Sequence, residues 1–126
     1  MTIALWCILV AALLHMPFAA AAKWSSRFDN ARPRDYLQQL SGWRQRANWT
    51  QQNSLEAFPF FAAAVLVAHV VAGPNAAADQ LAIGFIALRI AFGLCYLADK
   101  ATLRSLVWVG AVACTIGLFV VAARAA

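Results

Sequence analysis

Arg46-Ala47-Asn48-Trp49-Thr50-Gln51-Gln52-Asn53-Ser54-Leu55-Glu56-Ala57-Phe58-Pro59 runs without a break into Phe60-Phe61-Ala62-Ala63-Ala64-Val65-Leu66-Val67-Ala68. The first part is dense in amides, hydroxyls and charge; the second is almost pure hydrocarbon. Asn53 and Glu56 are three residues apart, which puts them on one face of a helix. Glu56 stands where the chain enters an apolar medium, and a carboxylate there is costly unless a partner satisfies it. Two readings are open. Either Glu56 is paired inside a helical bundle, for instance with an arginine, or it accepts a cationic group of a ligand.

The rest of the chain decides the medium. Of 126 residues, 63% are hydrophobic and only 12% charged, and the mean hydropathy is +0.69. Ordinary soluble domains are nearer half apolar and a quarter charged. The expected class is therefore all-α, an integral membrane four-helix bundle made as a single domain. The net charge of +5 is concentrated in one interhelical segment. It reads as a topology signal or a contact with anionic membrane lipids rather than a nucleic-acid surface. Cys7, Cys95 and Cys114 lie in separate apolar stretches. Their spacing fits neither a metal site nor a closed disulfide framework, so buried thiols are expected.

Four spans are predicted, at about 1–22, 54–72, 77–98 and 105–123. The first is apolar apart from Thr2 and His15, and Pro17 is expected to kink it near its end. A cleavable leader is the rival reading, because Ala19 to Ala22 resembles a small-residue cleavage site; the lack of a basic residue before the apolar run favours a retained span. Lys23 to Gln52 reads as a long polar segment carrying Lys23, Arg27, Arg32, Arg34, Arg44 and Arg46 against Asp29 and Asp35. Asn48-Trp49-Thr50 matches a glycosylation sequon and is discounted as a short, common pattern. Gly73-Pro74-Asn75 closes the second span, and Asp99 to Arg104 is read as a short polar turn before the fourth. The first and third loops are the basic ones. The expected layout is a cell inner membrane protein with both of these loops cytoplasmic and both termini outside. Ala62, Ala63, Ala64, Gly84, Gly93, Gly110 and Gly117 are expected to allow close helix packing.

Arg89, Phe92 and Tyr96 recur at i, i+3 and i+7, one stripe of the third span. An arginine at bilayer depth must face the bundle. It lies about 10 Å deeper than Tyr96, at 1.5 Å per helical residue. Asn53, Glu56, Tyr96, Arg104, Arg46 and Arg89 thus converge on one membrane face. They suit a small zwitterionic or anionic molecule, with arginines gripping carboxylates and Glu56 taking an ammonium or amide N–H.

Asn53-Ser54-Leu55-Glu56-Ala57-Phe58-Pro59 resembles the N-x-x-E-x-x-P signature of the family of membrane-associated proteins in eicosanoid and glutathione metabolism, the MAPEG family. Arg89 followed by Tyr96 resembles its third-helix pattern, and Tyr96-Leu97-Ala98-Asp99-Lys100-Ala101-Thr102-Leu103-Arg104-Ser105-Leu106-Val107-Trp108 is similar to its bacterial members. The resemblance covers essentially the whole chain. It implies a homotrimer with glutathione, a co-substrate, held between subunits near the cytosolic face. Asn53 and Glu56 would then contact glutathione, Tyr96 would line the site, Arg104 would stabilise the thiolate, and Arg89 would be the buried third-helix arginine. Two positions depart from the pattern. Trp49 stands where many members carry an arginine, and Arg46 either takes that role or makes another contact. Phe92 stands where eicosanoid synthases carry a tyrosine. The function implied is a membrane-bound glutathione (or related thiol) transferase or peroxidase acting on lipophilic electrophiles that arrive from the bilayer. The alternatives are a non-catalytic lipid-binding or scaffold protein on the same fold, and a small transporter, suggested by Arg89 and Glu56 within the membrane.

Overall fold

A computed structural model describing all 126 residues has six helices: α1 Ile3–Leu13, α2 His15–Lys23, α3 Pro33–Gln38, α4 Gly42–Ala72, α5 Ala76–Leu97 and α6 Ala101–Ala125. Four helical stretches are long and apolar enough to cross a membrane: Ile3–Lys23, Gly42–Ala72, Ala76–Leu97 and Ala101–Ala125. The chain is thus an all-α, four-helix integral membrane bundle, as its hydropathy predicts.

The first span is α1 and α2 joined at Leu14. Pro17 has no N–H to give the Leu13 carbonyl, and its ring crowds that carbonyl, so the helix breaks one turn before the proline. His15 Nδ1 lies 2.9 Å from the Ala12 carbonyl and meets a backbone group near the break. At the other end, Thr2 caps α1, and Asp79 in the first turn of α5 accepts the Ala4 N–H at 2.7 Å. That bond joins the starts of α1 and α5. Arg46, near the start of α4, donates to the Leu97 carbonyl at the end of α5 through Nε and Nη2. The first and third loops therefore share one face of the bundle, and the second loop shares the other with both termini.

The helix carrying the second span begins at Gly42, not near Ser54. Hydropathy marks only its apolar part. Residues 43–53 contain no glycine or proline to stop a helix, and most are adequate helix formers. At 1.5 Å per residue α4 is about 46 Å long, against a hydrocarbon core of about 30 Å, so its polar end stands clear of the bilayer core. The Thr50 and Ser54 hydroxyls donate back to the carbonyls of Arg46 and Thr50 at 2.8 and 2.9 Å, which satisfies them without a partner helix. Pro59 sits inside the helix rather than near its start, and α4 continues through it. Asn48 and Thr50 of the sequon are both buried.

The turn between α5 and α6 is shorter than expected. Asp99 takes a left-handed conformation with φ 58°, while Lys100 N–H bonds the Cys95 carbonyl at 2.9 Å and Asp99 N–H the Tyr96 carbonyl at 3.1 Å. This pair of bonds closes the end of α5. The chain can then start α6 at Ala101, which puts Arg104 in a helical turn rather than in a loop.

The core is made mostly of alanine: Ala4 and Ala11 of α1 meet Ala64 and Ala68 of α4, Ala78 and Ala82 of α5, and Ala111 of α6. In a bilayer the tails are as apolar as leucine, so helices gain by close approach rather than by hiding apolar surface. Phe61 and Phe85 stack at 3.9 Å between α4 and α5 and are the aromatic members of this core. The first loop folds as a cap, with Phe28 edge-on to Tyr36 at 5.2 Å and Arg44 Nη1 donating to the Tyr36 hydroxyl at 3.3 Å.

Candidate functional site

Three helical stripes face one another near the end of the bundle that carries the first and third loops. On α4 the stripe is Trp49, Gln52, Asn53, Glu56 and Phe60, at the three- and four-residue spacing of a single helix face. On α5 it is Phe85, Arg89, Phe92 and Tyr96, and on α6 it is Arg104, Ser105, Trp108, Val112 and Thr115. Between them runs a groove of three adjoining depressions, and Asn53 lines all three.

Arg89 organises its middle. The side chain is 2% exposed. Its Nη2 donates to Asn53 Oδ1 at 2.8 Å and to Ser54 Oγ at 3.4 Å, and the guanidinium lies 4.3 Å over the Phe92 ring. The ion pair with Glu56 that the sequence left open is not formed; amide, hydroxyl and ring take its place. The other terminal nitrogen, Nη1, is the one buried side-chain nitrogen or oxygen in the chain without a hydrogen-bond partner. Glu56 is exposed on the groove wall.

Tyr96 organises the outer end. Its ring stands edge-on to Phe92 at 5.5 Å and is packed by Trp49 at 6.2 Å. Arg104 lies 4.3 Å over the same ring. A cation in the first turn of a helix is unfavourable against the helix dipole, and the ring face compensates for part of that cost. Arg104 and the N–H groups of Ala101, Thr102 and Leu103, which have no backbone acceptor in the first turn of α6, together make this end of the groove attractive to an anion.

Five of the six residues predicted from sequence therefore share one groove: Asn53, Glu56, Tyr96, Arg89 and Arg104. Arg46 stands apart, with its guanidinium on the Leu97 carbonyl, where it satisfies the end of α5. Sequence reasoning missed Gln52, Ser54, Ser105 and Trp108, and it read Trp49 as a residue suited to the membrane-water interface and as a departure from a pattern, not as part of the site. Gln52 was legible, since it precedes Glu56 by four residues. Trp108 and Ser105 were not, because only the packing of α6 on α4 and α5 brings them to Asn53.

Beyond the outer end the groove continues into a half-open pocket of about 230 Å³ between α4, α5 and α6. Asn53, Glu56 and Arg89 form its polar side, with Phe60, Phe85 and Val112 among its apolar walls. Phe60 stacks on Phe119 of α6 at 5.9 Å and ties the two helices together on the deep side. The site thus has an exposed polar mouth with one cation and one carboxylate, next to a mainly apolar, half-open pocket.

Comparison with known proteins adds one finding. The family model described as the MAPEG family matches residues 3–124. Neither a curated protein nor a solved structure matches the chain at significant similarity.

Proposed function

The chain belongs to the MAPEG family, and from that premise together with the groove we propose that it is a membrane-bound glutathione (or related thiol) transferase or peroxidase acting on lipophilic electrophiles. The observation that carries the reading is the position of Arg104. It sits in the first turn of α6, over Tyr96, on the groove that also holds Asn53 and Glu56. Cation and helix N-terminus favour the same species there, a thiolate. Glu56, exposed and free of Arg89, accepts the ammonium of the tripeptide, and Asn53, held by Arg89, presents its amide beside it. Trp49, Gln52 and Tyr96 line the mouth around the peptide.

The energetics are adequate. A free thiol with a pKa of about 8.5 is only about 3% thiolate at pH 7. Lowering that pKa by about two units requires roughly 2.7 kcal/mol of differential stabilisation, which one arginine and a helix terminus in a poorly hydrated groove can provide. The thiolate sulfur attacks the electrophilic carbon or the peroxide oxygen of a substrate entering from the bilayer, and the leaving group departs with the electron pair of the broken bond. The same reading includes a homotrimer in a bacterial inner membrane, with the first and third loops cytoplasmic and both termini outside.

The test is a titration of thiolate absorbance against pH with glutathione bound. Wild type should show the thiol pKa well below its free value. Arg104→Ala should raise it by one to two units and lower turnover, with glutathione affinity changed less. An unmoved thiol pKa in Arg104→Ala, or no lowering in wild type, overturns the catalytic reading in favour of a non-catalytic lipid-binding protein.

A further inference from the structure

We propose that a half-open pocket of about 320 Å³ between the first-loop cap and the start of α4 binds a phosphate group, and that its occupant is the headgroup of an anionic membrane phospholipid. The pocket is separate from the groove: none of its residues lines the three depressions described above.

Its charge is one-sided. Arg27 and Arg44 line it together with the hydroxyls of Ser25, Tyr36 and Ser41, and no carboxylate does. Asp29, in the same loop, is turned to its own backbone, with Oδ1 accepting the Ala31 N–H at 2.8 Å. Two guanidiniums thus share one pocket without a counter-charge from the chain, an arrangement that an entering anion relieves.

The hydrogen bonds of the cap favour the same ligand. Ser25 Oγ accepts the Arg27 N–H at 3.1 Å, and the Tyr36 hydroxyl oxygen accepts from Arg44 Nη1 at 3.3 Å. Each hydroxyl has therefore used an acceptor position on the protein and keeps its proton to donate. Arg44 Nη1 also reaches the Trp24 carbonyl at 3.5 Å, which leaves Nε and Nη2 uncommitted. Phe28 stands edge-on to the Tyr36 ring at 5.2 Å and steadies it. Free donors and guanidinium forks suit a group that only accepts, and an ionised phosphate diester is such a group.

The height of the pocket identifies the source. The first span, Ile3–Lys23, has 21 residues and is about 31 Å long, the thickness of one hydrocarbon core. Trp24 and Ser25 follow directly, at the level of the headgroups, and the bond from Arg44 to the Trp24 carbonyl sets the pocket at that level. Trp24 and Trp43, 79% and 48% exposed, flank it in sequence as interfacial aromatics. A zwitterionic lipid fits less well, because its ammonium would stand among arginines with no carboxylate to receive it.

The test titrates the full-length protein, stripped of lipid in mild detergent, with phosphatidylglycerol or phosphatidylcholine. Bound lipid per chain is counted by native mass spectrometry in about 0.3 M ammonium acetate, where diffuse attraction is largely screened. Wild type should hold one phosphatidylglycerol per chain, and phosphatidylcholine about tenfold more weakly. Arg27→Gln and Arg44→Gln should each lower phosphatidylglycerol affinity about tenfold, as expected for loss of a charge-assisted contact. Arg27 is exposed, so its variant decides the matter even if Arg44→Gln loosens the cap. Arg32→Gln removes the same charge from the same loop but outside the pocket, and should change affinity less than about twofold. An equal loss in Arg32→Gln makes the attraction a property of the loop's overall charge and overturns the site. Equal binding of the two lipids overturns the anionic headgroup. Phosphatidylglycerol should also raise the thermal midpoint of wild type more than inorganic phosphate at about 10 mM does; stabilisation by inorganic phosphate that the lipid fails to match overturns the lipid as occupant.

Discussion

Arg89 shows how a guanidinium is accommodated at bilayer depth without an acidic partner. An amide oxygen and a hydroxyl accept from one nitrogen, and the π-face of Phe92 takes part of the charge. This leaves Glu56 unused by the fold and available at the groove mouth, which separates the roles of two residues that share a helix face. Asn53→Ala removes the short acceptor for Arg89, leaving Ser54 at 3.4 Å, and should destabilise the protein by about 1–3 kcal/mol. Glu56→Ala removes an exposed side chain and should change stability by less than about 0.5 kcal/mol, while weakening glutathione binding about 10- to 100-fold through loss of a charge-assisted contact. Thermal unfolding in detergent and calorimetric titration, run on both variants, check the separation. Equal loss of stability in the two would show that Glu56 also holds the bundle together.

At the level of elements, the site depends on how closely the helices approach. Gly84, Gly110 and Gly117 let α5 and α6 interleave, because a Cβ at any of them would sit 3.1–3.3 Å from Cys114, Leu88 or Leu81. Gly93 is tighter. A Cβ there would overlap Phe18 Cζ, so the aromatic ring of α2 lies directly on the α5 backbone, next to Phe92. Gly93→Ala should therefore push α2 off α5 and cost about 1–3 kcal/mol as overpacking. Phe18→Leu placed in the same chain should recover most of that loss. Thermal stability of the single and double variants checks this, and a double variant no better than Gly93→Ala would mean that the strain lies elsewhere. Of the small residues expected at helix contacts, Ala64 is buried and Ala63 is exposed. Composition alone did not separate them, because the sequence shows which residues are small but not which way each one points.

For the whole molecule, the two bonds at opposite ends of α5, from Ala4 to Asp79 and from Arg46 to Leu97, set the basic loops on one face. Reporter fusions after Arg34 and Lys100 should both read cytoplasmic, and a fusion after Asn75 external. Opposite signals from the first two would break the four-span layout. The single chain also leaves many large apolar side chains uncovered, including Trp6, Leu66, Val70 and Leu94. Lipid covers such a surface as readily as a subunit does, so exposure alone does not count the copies. The proposed trimer predicts a three-chain mass in mild detergent by native mass spectrometry, and a monomer that still binds glutathione would remove any role for a site shared between subunits.

The sequence by itself determined the class, the number of spans and the helix faces. Hydropathy reports the medium, and the 3.6-residue period reports which side chains share a face; both are local properties. It also named Asn53, Glu56, Arg89, Tyr96 and Arg104, because chemistry-bearing side chains are rare in an apolar chain and stand out one by one. Tertiary structure alone decided the rest. Whether Arg89 bonds Glu56 or Asn53, whether Arg46 reaches the groove or the end of α5, and how Trp108 closes on Asn53 are distances between helices far apart in sequence. Those distances follow from the depth to which alanines and glycines let neighbouring backbones approach, a property of pairs of helices that neither helix encodes alone.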